Sequence, residues 1–228
     1  MSRALVLLAA LVVIAGCGGK SASTTTGASG TTLTGETTVA KATDANGCAP
    51  VTAPVGAAKT APTPTAPLDA TKTYDVTFTT NCGSFTVRLD QKQSPNVAAS
   101  IVSLVQHGFY GGTVFHRIVP GFVIQGGDPT GTGSGGPGYS TVDTPPAGAQ
   151  YLHGVVAMAK TGAEVAGTAG SQFFVVTGAN VGLPADYAII GTVTKGLDVI
   201  DHIGTLGDPS TEQPTEVVEI EKATVSIS

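Results

Sequence analysis

From Thr73 onward the chain alternates between apolar and polar positions. Tyr74, Val76 and Phe78 are separated by Asp75, Thr77 and Thr79, and Phe85, Val87 and Leu89 are separated by Thr86 and Arg88. A period of two sends successive side chains to opposite faces, so the two runs flanking Asn81-Cys82-Gly83 predict a hairpin of half-buried strands. The period then lengthens. Val97, Ile101, Leu104 and Val105 fall on one helical face, Ser94-Pro95 offers an N-cap followed by proline at the first helical position, and Gly108 stands where the helix should end. Further strands are expected at 113–119, 122–125, 154–159, 172–177 and 187–193, with a last one near 217–227. A short helix at 197–203 should pack through Leu197, Ile200 and Ile203. Many short strands with two helices predict an all-β protein, an antiparallel barrel whose ends the helices cover.

The chain before residue 71 is patterned differently. Arg3 precedes an apolar stretch from Ala4 to Ile14, too short to span a bilayer comfortably, which ends Ile14-Ala15-Gly16-Cys17. This ending resembles the lipobox of bacterial lipoproteins, in which the cysteine is acylated and becomes the new N-terminus. The resemblance implies a signal peptide over 1–16 and a protein held outside the cytoplasm, at the cell membrane, through lipidated Cys17. An ordinary secretory peptide or an uncleaved anchor is the other reading. Residues 17–70 are rich in Ser, Thr, Ala and Pro with no sustained apolar period. They are expected to form a tether, with the folded domain at 71–228. Of the three cysteines, lipidation of Cys17 leaves Cys48 and Cys82 either as a candidate disulfide, which an oxidising compartment permits, or as two free thiols.

Composition removes several function classes. A net charge of -5 gives no basic stripe for nucleic acid. The run 131–136 satisfies G-x-G-x-x-G, but Pro137, Pro145 and Pro146 follow where a dinucleotide site needs a helix. The four histidines lack metal-ligand spacing, so no metal is expected. No serine sits in a G-x-S-x-G elbow.

Two blocks carry the candidate chemistry. The first runs from Phe115-His116-Arg117 through Pro120-Gly121-Phe122-Val123-Ile124-Gln125-Gly126-Gly127-Asp128; the second is Gly170-Ser171-Gln172-Phe173-Phe174. Simple alternation puts Phe115, Arg117 and Val119 on one face of the first strand and His116 on the other. Together with Met158-Ala159, these blocks closely resemble the cyclophilin family of prolyl isomerases, over the whole body from about Tyr74 onward. The resemblance implies an eight-stranded antiparallel barrel capped by two helices, with the active groove on its outer face. By position it implies Arg117 as catalytic arginine and Gln125 as the amide that positions it. Phe122, Val123, Phe174 and Leu183 match the proline pocket; His116, Ala159, Gln172 and Tyr187 match the peptide-holding groove. The chain departs from the family where Lys160 replaces an asparagine, where the loop 160–170 is longer, and near Gly182, where many eukaryotic members have tryptophan.

The implied reaction is rotation about an Xaa-Pro bond. Amide resonance opposes it with a barrier of about 18–20 kcal/mol. Twisting localises the nitrogen lone pair, so a donor aimed at that nitrogen stabilises the twisted state more than the planar one. Arginine offers a permanent charge and a planar fork. The expectation is a monomeric isomerase, without cofactor, that accelerates folding of exported or surface polypeptides containing proline. A non-catalytic proline-binding or chaperone module on a membrane tether is the alternative.

Overall fold

The computed structural model describes residues 47–228, all within one compact unit spanning Lys41–Ser228. Cys17, the expected leader and the first part of the expected tether lie outside the described residues. Ten strands and two helices follow in order: β1 Tyr74–Thr80, β2 Gly83–Leu89, α1 Pro95–Gln106, β3 Thr113–Val119, β4 Val123–Asp128, β5 Thr141–Val142, β6 Val155–Met158, β7 Thr168–Ala169, β8 Phe173–Val176, β9 Ile189–Lys195, α2 Leu197–Gly204 and β10 Glu219–Ile227. Eight strands close a barrel in the order β1-β10-β3-β4-β8-β6-β9-β2, and every pairing is antiparallel. Closure leaves no free sheet edge.

The alternation read from the sequence is the inside-outside alternation of this barrel. Tyr74, Val76 and Phe78 of β1 are buried, and Phe78 pairs across the hairpin with Phe85. The two rings stack at 5.1 Å, and Phe173 joins them 5.0 Å from Phe78. The interior is therefore filled by aromatic and branched side chains and has no room for a ligand.

Both helices form where expected, with altered ends. Ser94 occupies the N-cap position of α1, but its hydroxyl donates to Ile189 O instead of capping the helix. Asp143, distant in sequence, caps it: its carboxylate accepts the Val97 N–H at 2.7 Å and, from the side chain of Asn96, an amide hydrogen bond at 2.8 Å. A local side chain was expected to satisfy the helix-end donor; a tertiary contact does so instead. In α2, Ile200 and Ile203 are buried as predicted, whereas Leu197 stays 38% exposed. The two-residue strands β5 and β7 pair only with each other, and a run that short shows no period in sequence.

Residues 47–70 form neither helix nor strand, yet they are held along the barrel. Cys48 and Cys82 are joined in a disulfide. Beside it the Ala49 N–H donates to Asn81 O, and the Asn81 amide donates back to Ala49 O. Further on, Ala61 and Leu68 pack against the core. The segment has no regular element of its own, and hydrogen bonds to loops and one covalent link hold it in place.

Candidate active site

The site is built on the outer wall of the barrel, and its placement begins with a fault in a strand. The β3–β4 ladder slips between Phe115 and Arg117. A bulge inserts an extra residue and resets the pleat. Phe115 and Ile118 therefore both point into the core, leaving the half-buried His116 and Arg117 between them. This corrects simple alternation, which put Phe115 and Arg117 on one face.

Beyond the bulge the register is regular. Arg117 lies opposite Gln125, Gln125 opposite Phe174, and Phe174 opposite Ala157. One rung across four strands thus carries a guanidinium, an amide, an aromatic ring and a small residue that leaves space. Below Gln125 the chain needs glycine: Gly127 has φ +83°, and a Cβ there would lie 2.6 Å from Ser171 O. That close approach seats β4 against the second sequence block.

A cavity of about 200 Å³ opens over this rung. Phe122, Phe174 and Tyr187 give aromatic walls, Val123, Ala159 and Leu183 aliphatic ones, and Arg117, Gln125 and Lys160 form the polar rim. Nine of the sequence-predicted site residues are thereby brought together. The other two stand aside. Gln172 lines an adjoining cavity of about 690 Å³; its side-chain oxygen accepts from Gln125 at 3.1 Å, and its amide donates to Gly133 O and Gly135 O. His116 lines neither cavity; its ring faces Gly133 of the neighbouring loop.

Arg117 is held on two sides. Its Nε donates to Glu212 at 2.6 Å, and Nη1 reaches the Gln125 side-chain oxygen at 3.5 Å. Two contacts leave the rest of the five-donor fork for a substrate. The guanidinium's hydrogen bond and charge pull the Glu212 carboxyl below its ordinary pKa. Glu212 was not found by sequence reasoning. It sits in a loop fixed by Asp208, which accepts the N–H groups of Ser210 and Thr211, and it has φ +59°, the sole positive φ among the described non-glycine residues. No spacing in the chain connects it to Arg117.

Lys160 is engaged more fully than a groove residue needs to be. Its side chain is 3% exposed; the ammonium contacts Asp186 at 2.6 Å and donates to Thr161 O and Glu164 O. All three of its donors have partners in the chain, so it presents its stem to the cavity while tying the loop after β6 to the segment carrying Tyr187. The same segment is fixed by Tyr151, another residue the sequence reading missed. Its hydroxyl donates to Tyr187 O and accepts from Tyr187 N–H, and Phe174 and Tyr187 meet edge to face at 5.5 Å.

Two further groups have shifted titrations. Burial draws the His116 pKa down, Asp128 pulls it up and Arg117 lowers it again; the net shift is downward. For the buried Asp128, desolvation pushes upward, but hydrogen bonds from Thr130, Gly135 and Gly133 outweigh it and the pKa falls.

Fold and site together define an enzyme of the barrel wall, one that holds a peptide across its outer face around a small apolar pocket rimmed by arginine. The comparisons agree. Residues 75–225 match the family model for cyclophilin type peptidyl-prolyl cis-trans isomerase/CLD, and the chain belongs to that family. It is 38% identical over 155 residues to peptidyl-prolyl cis-trans isomerase-like 1 of Aspergillus fumigatus, covering 66% of this chain and 94% of the relative. It is 39% identical over 168 residues to a probable peptidyl-prolyl cis-trans isomerase A of Mycobacterium leprae, covering 66% and 91%. The solved structure of a cyclophilin type isomerase from Cryptosporidium parvum superposes with a TM-score of 0.62 at 30% identity, over 68% of this chain and 98% of that one. A second structure of that protein was determined in the presence of the dipeptide Ala-Pro. The chain is a peptidyl-prolyl cis-trans isomerase, a rotamase.

Proposed function

We propose that this isomerase rotates Xaa-Pro bonds in exported or surface polypeptides while held at the membrane by lipidated Cys17, and that Arg117 is its catalytic group. The observation that carries the chemistry is the fixed guanidinium at the rim of a small apolar cavity. A proline ring enters between Phe122, Phe174 and Leu183, which exclude water. As the bond twists, the nitrogen lone pair localises and takes a hydrogen bond from the free part of the Arg117 fork. Glu212 and Gln125 hold that fork in place beforehand, so little reorganisation is needed at the barrier top. No bond to the enzyme forms at any step.

The compartment is supported by the disulfide between Cys48 and Cys82, because such bonds persist outside the cytoplasm and are rare within it. It agrees with the leader and Cys17. NMR exchange on an Ala-Pro peptide tests the chemistry: Arg117→Ala turning over peptide as fast as wild type would remove Arg117 from the mechanism. Mass spectrometry of the mature protein, with Cys17→Ser as control, tests the anchor. A Cys17 free of acyl chains in a membrane-released protein would overturn it.

A further inference from the structure

The larger of the two cavities has a wall that does not belong to the barrel. Residues 133–140 line one side of it, opposite Lys160, Thr161 and Glu164. They lie in a loop after β4 with no regular structure up to residue 140 and with five glycines between Gly131 and Gly138. A chain so rich in glycine has many conformations available and does not hold a shape by itself. On its inner side it is held by the Asp128 carboxylate, which accepts the N–H groups of Thr130 and Gly133, and by the Gln172 amide on Gly133 O and Gly135 O.

On its outer side it is held by the segment that precedes the barrel. The Ala57 N–H donates to Pro129 O at 3.0 Å and the Ala61 N–H to Pro137 O at 3.1 Å, one bond at each end of the loop. Between them the contact is close: a Cβ on Gly56 would lie 2.1 Å from Thr130 O. The segment has its own anchors on the barrel body. Lys59 Nζ donates to Phe109 O and Gly111 O, at 3.0 and 2.7 Å, and the Cys48–Cys82 disulfide fixes the beginning. The family match begins only at residue 75, so this segment lies outside the matched region.

We propose that residues 47–61 form a positioning strap for the peptide groove. By clamping the glycine-rich loop between itself and Gln172, the strap sets the shape of the larger cavity. It thereby sets how tightly the enzyme holds a peptide that extends beyond its Xaa-Pro unit. The smaller cavity, where the proline sits, has no strap-clamped wall and should be indifferent to it. The inference rests on the isomerase reading of the groove.

Gly56→Ala tests it, because Gly56 has no positive φ and the new methyl group acts only by forcing strap and loop apart. Lys59→Met, which releases the strap from Phe109 and Gly111 without touching the loop, is the companion variant. Each full-length variant is compared with wild type by NMR exchange on Ala-Pro and on an octapeptide with a central Ala-Pro, with amide hydrogen exchange read at Ala57, Ala61 and Gly133. Loss of one or two hydrogen bonds predicts an octapeptide KM raised about three- to tenfold. Its kcat and the dipeptide's turnover should move by less than about twofold. Faster exchange at Ala57 and Ala61 with an unchanged octapeptide KM overturns the proposal, as does an equal loss for both peptides. If wild type turns over neither peptide, the isomerase reading fails instead. In that event Gly133 exchange still decides the strap, whose clamping is refuted if Gly133 stays as protected in the variants as in wild type.

Discussion

Phe173 and Phe174 are neighbours in the chain, and the pleat of β8 sends them to opposite sides of the barrel wall. Phe173 joins the interior cluster with Phe78, Phe85, Phe115 and Ile124; Phe174 joins an exterior cluster with Val123, Tyr151, Ala157 and Val176. Both clusters are apolar and both rings are at least 95% shielded, yet the clusters differ in completion. The interior closes on itself from every strand of the barrel. The exterior one has Phe122, Leu183 and Tyr187 only partly buried around it and is rimmed by Arg117, Gln125 and Lys160. An apolar cluster left unfinished on a surface, beside a few oriented polar groups, is what a ligand completes. Stability thus comes from one side of the sheet and chemistry from the other.

The strongest way to break that comparison is to truncate the two rings separately. Phe173→Ala should cost about 3–5 kcal/mol of unfolding free energy, because the surrounding aromatic core cannot collapse into the gap. Phe174→Ala should cost clearly less, since its cavity opens towards water, while lowering kcat/KM far more per folded molecule. Urea denaturation beside isomerase kinetics reads both. Equal stability losses with equal residual activity would mean that the wall does not divide the two functions.

This division was legible in the sequence to the extent that it depends on period. Tyr74, Val76, Phe78, Phe85 and Val87 announce their own burial, and the resemblance named all nine residues that line the smaller cavity, five of them in the two blocks. What was not legible depends on contacts that no local pattern records. The bulge at Phe115 turned Arg117 away from the face simple alternation gave it, because a single extra residue in one strand is visible only against its partner. Glu212 reaches Arg117 across 95 positions of chain, and Asp143 caps α1 from 46 positions away. Both contacts are made by exposed or loop-borne acids that look like ordinary solvated residues. The strap escaped notice for a related reason: its hold on the glycine-rich loop comes from backbone N–H groups, which every alanine has.

Next in size is Arg117→Ala. A charge-assisted hydrogen bond made only in the twisted state is worth about 1.5–3 kcal/mol, so kcat/KM should fall about ten- to hundredfold. The side chain is 34% exposed, so the melting temperature should barely move. Glu212→Gln keeps an acceptor while removing the charge and should fall between the variant and wild type. A large loss of stability in Arg117→Ala would sharpen the comparison differently, by showing that the rim also supports the fold.

Lys160→Met should act more weakly. It keeps the apolar stem but releases the Asp186, Thr161 and Glu164 contacts, and ion pairs with one partly exposed partner contribute roughly 1 kcal/mol or less. The expected result is a KM raised severalfold with kcat nearly unchanged, since the Arg117 fork is untouched. Asp186→Asn should reproduce it, and the double variant should add little to either. Strictly additive effects would show that Lys160 contacts the peptide directly instead of fixing the wall beside Tyr187.

The smallest expected effect is a separation of stability from activity in mild acid. His116 packs at the loop side of the site, and burial holds its pKa below the ordinary 6.5 against the pull of Asp128. Above pH 6.5 the ring is neutral folded and unfolded, and its stabilising contribution is fully present. As pH drops below 6.5 the unfolded chain takes up a proton that the folded one resists, so stability declines until pH has passed through the lowered folded value. Glu212 follows the same sign at a lower range: its carboxyl stays ionised to below the ordinary 4.5, and the pair with Arg117 persists until then. Within the His116 window, above the range in which Glu212 takes up its proton, the protein should lose stability while each folded molecule keeps its activity. Melting curves and isomerase rates taken across pH 7 to 4.5 would show it, with His116→Gln removing the first decline and leaving the rate profile in place. A rate that falls in step with stability from pH 6.5 would tie His116 to catalysis and move it across the line that separates the two faces of the wall.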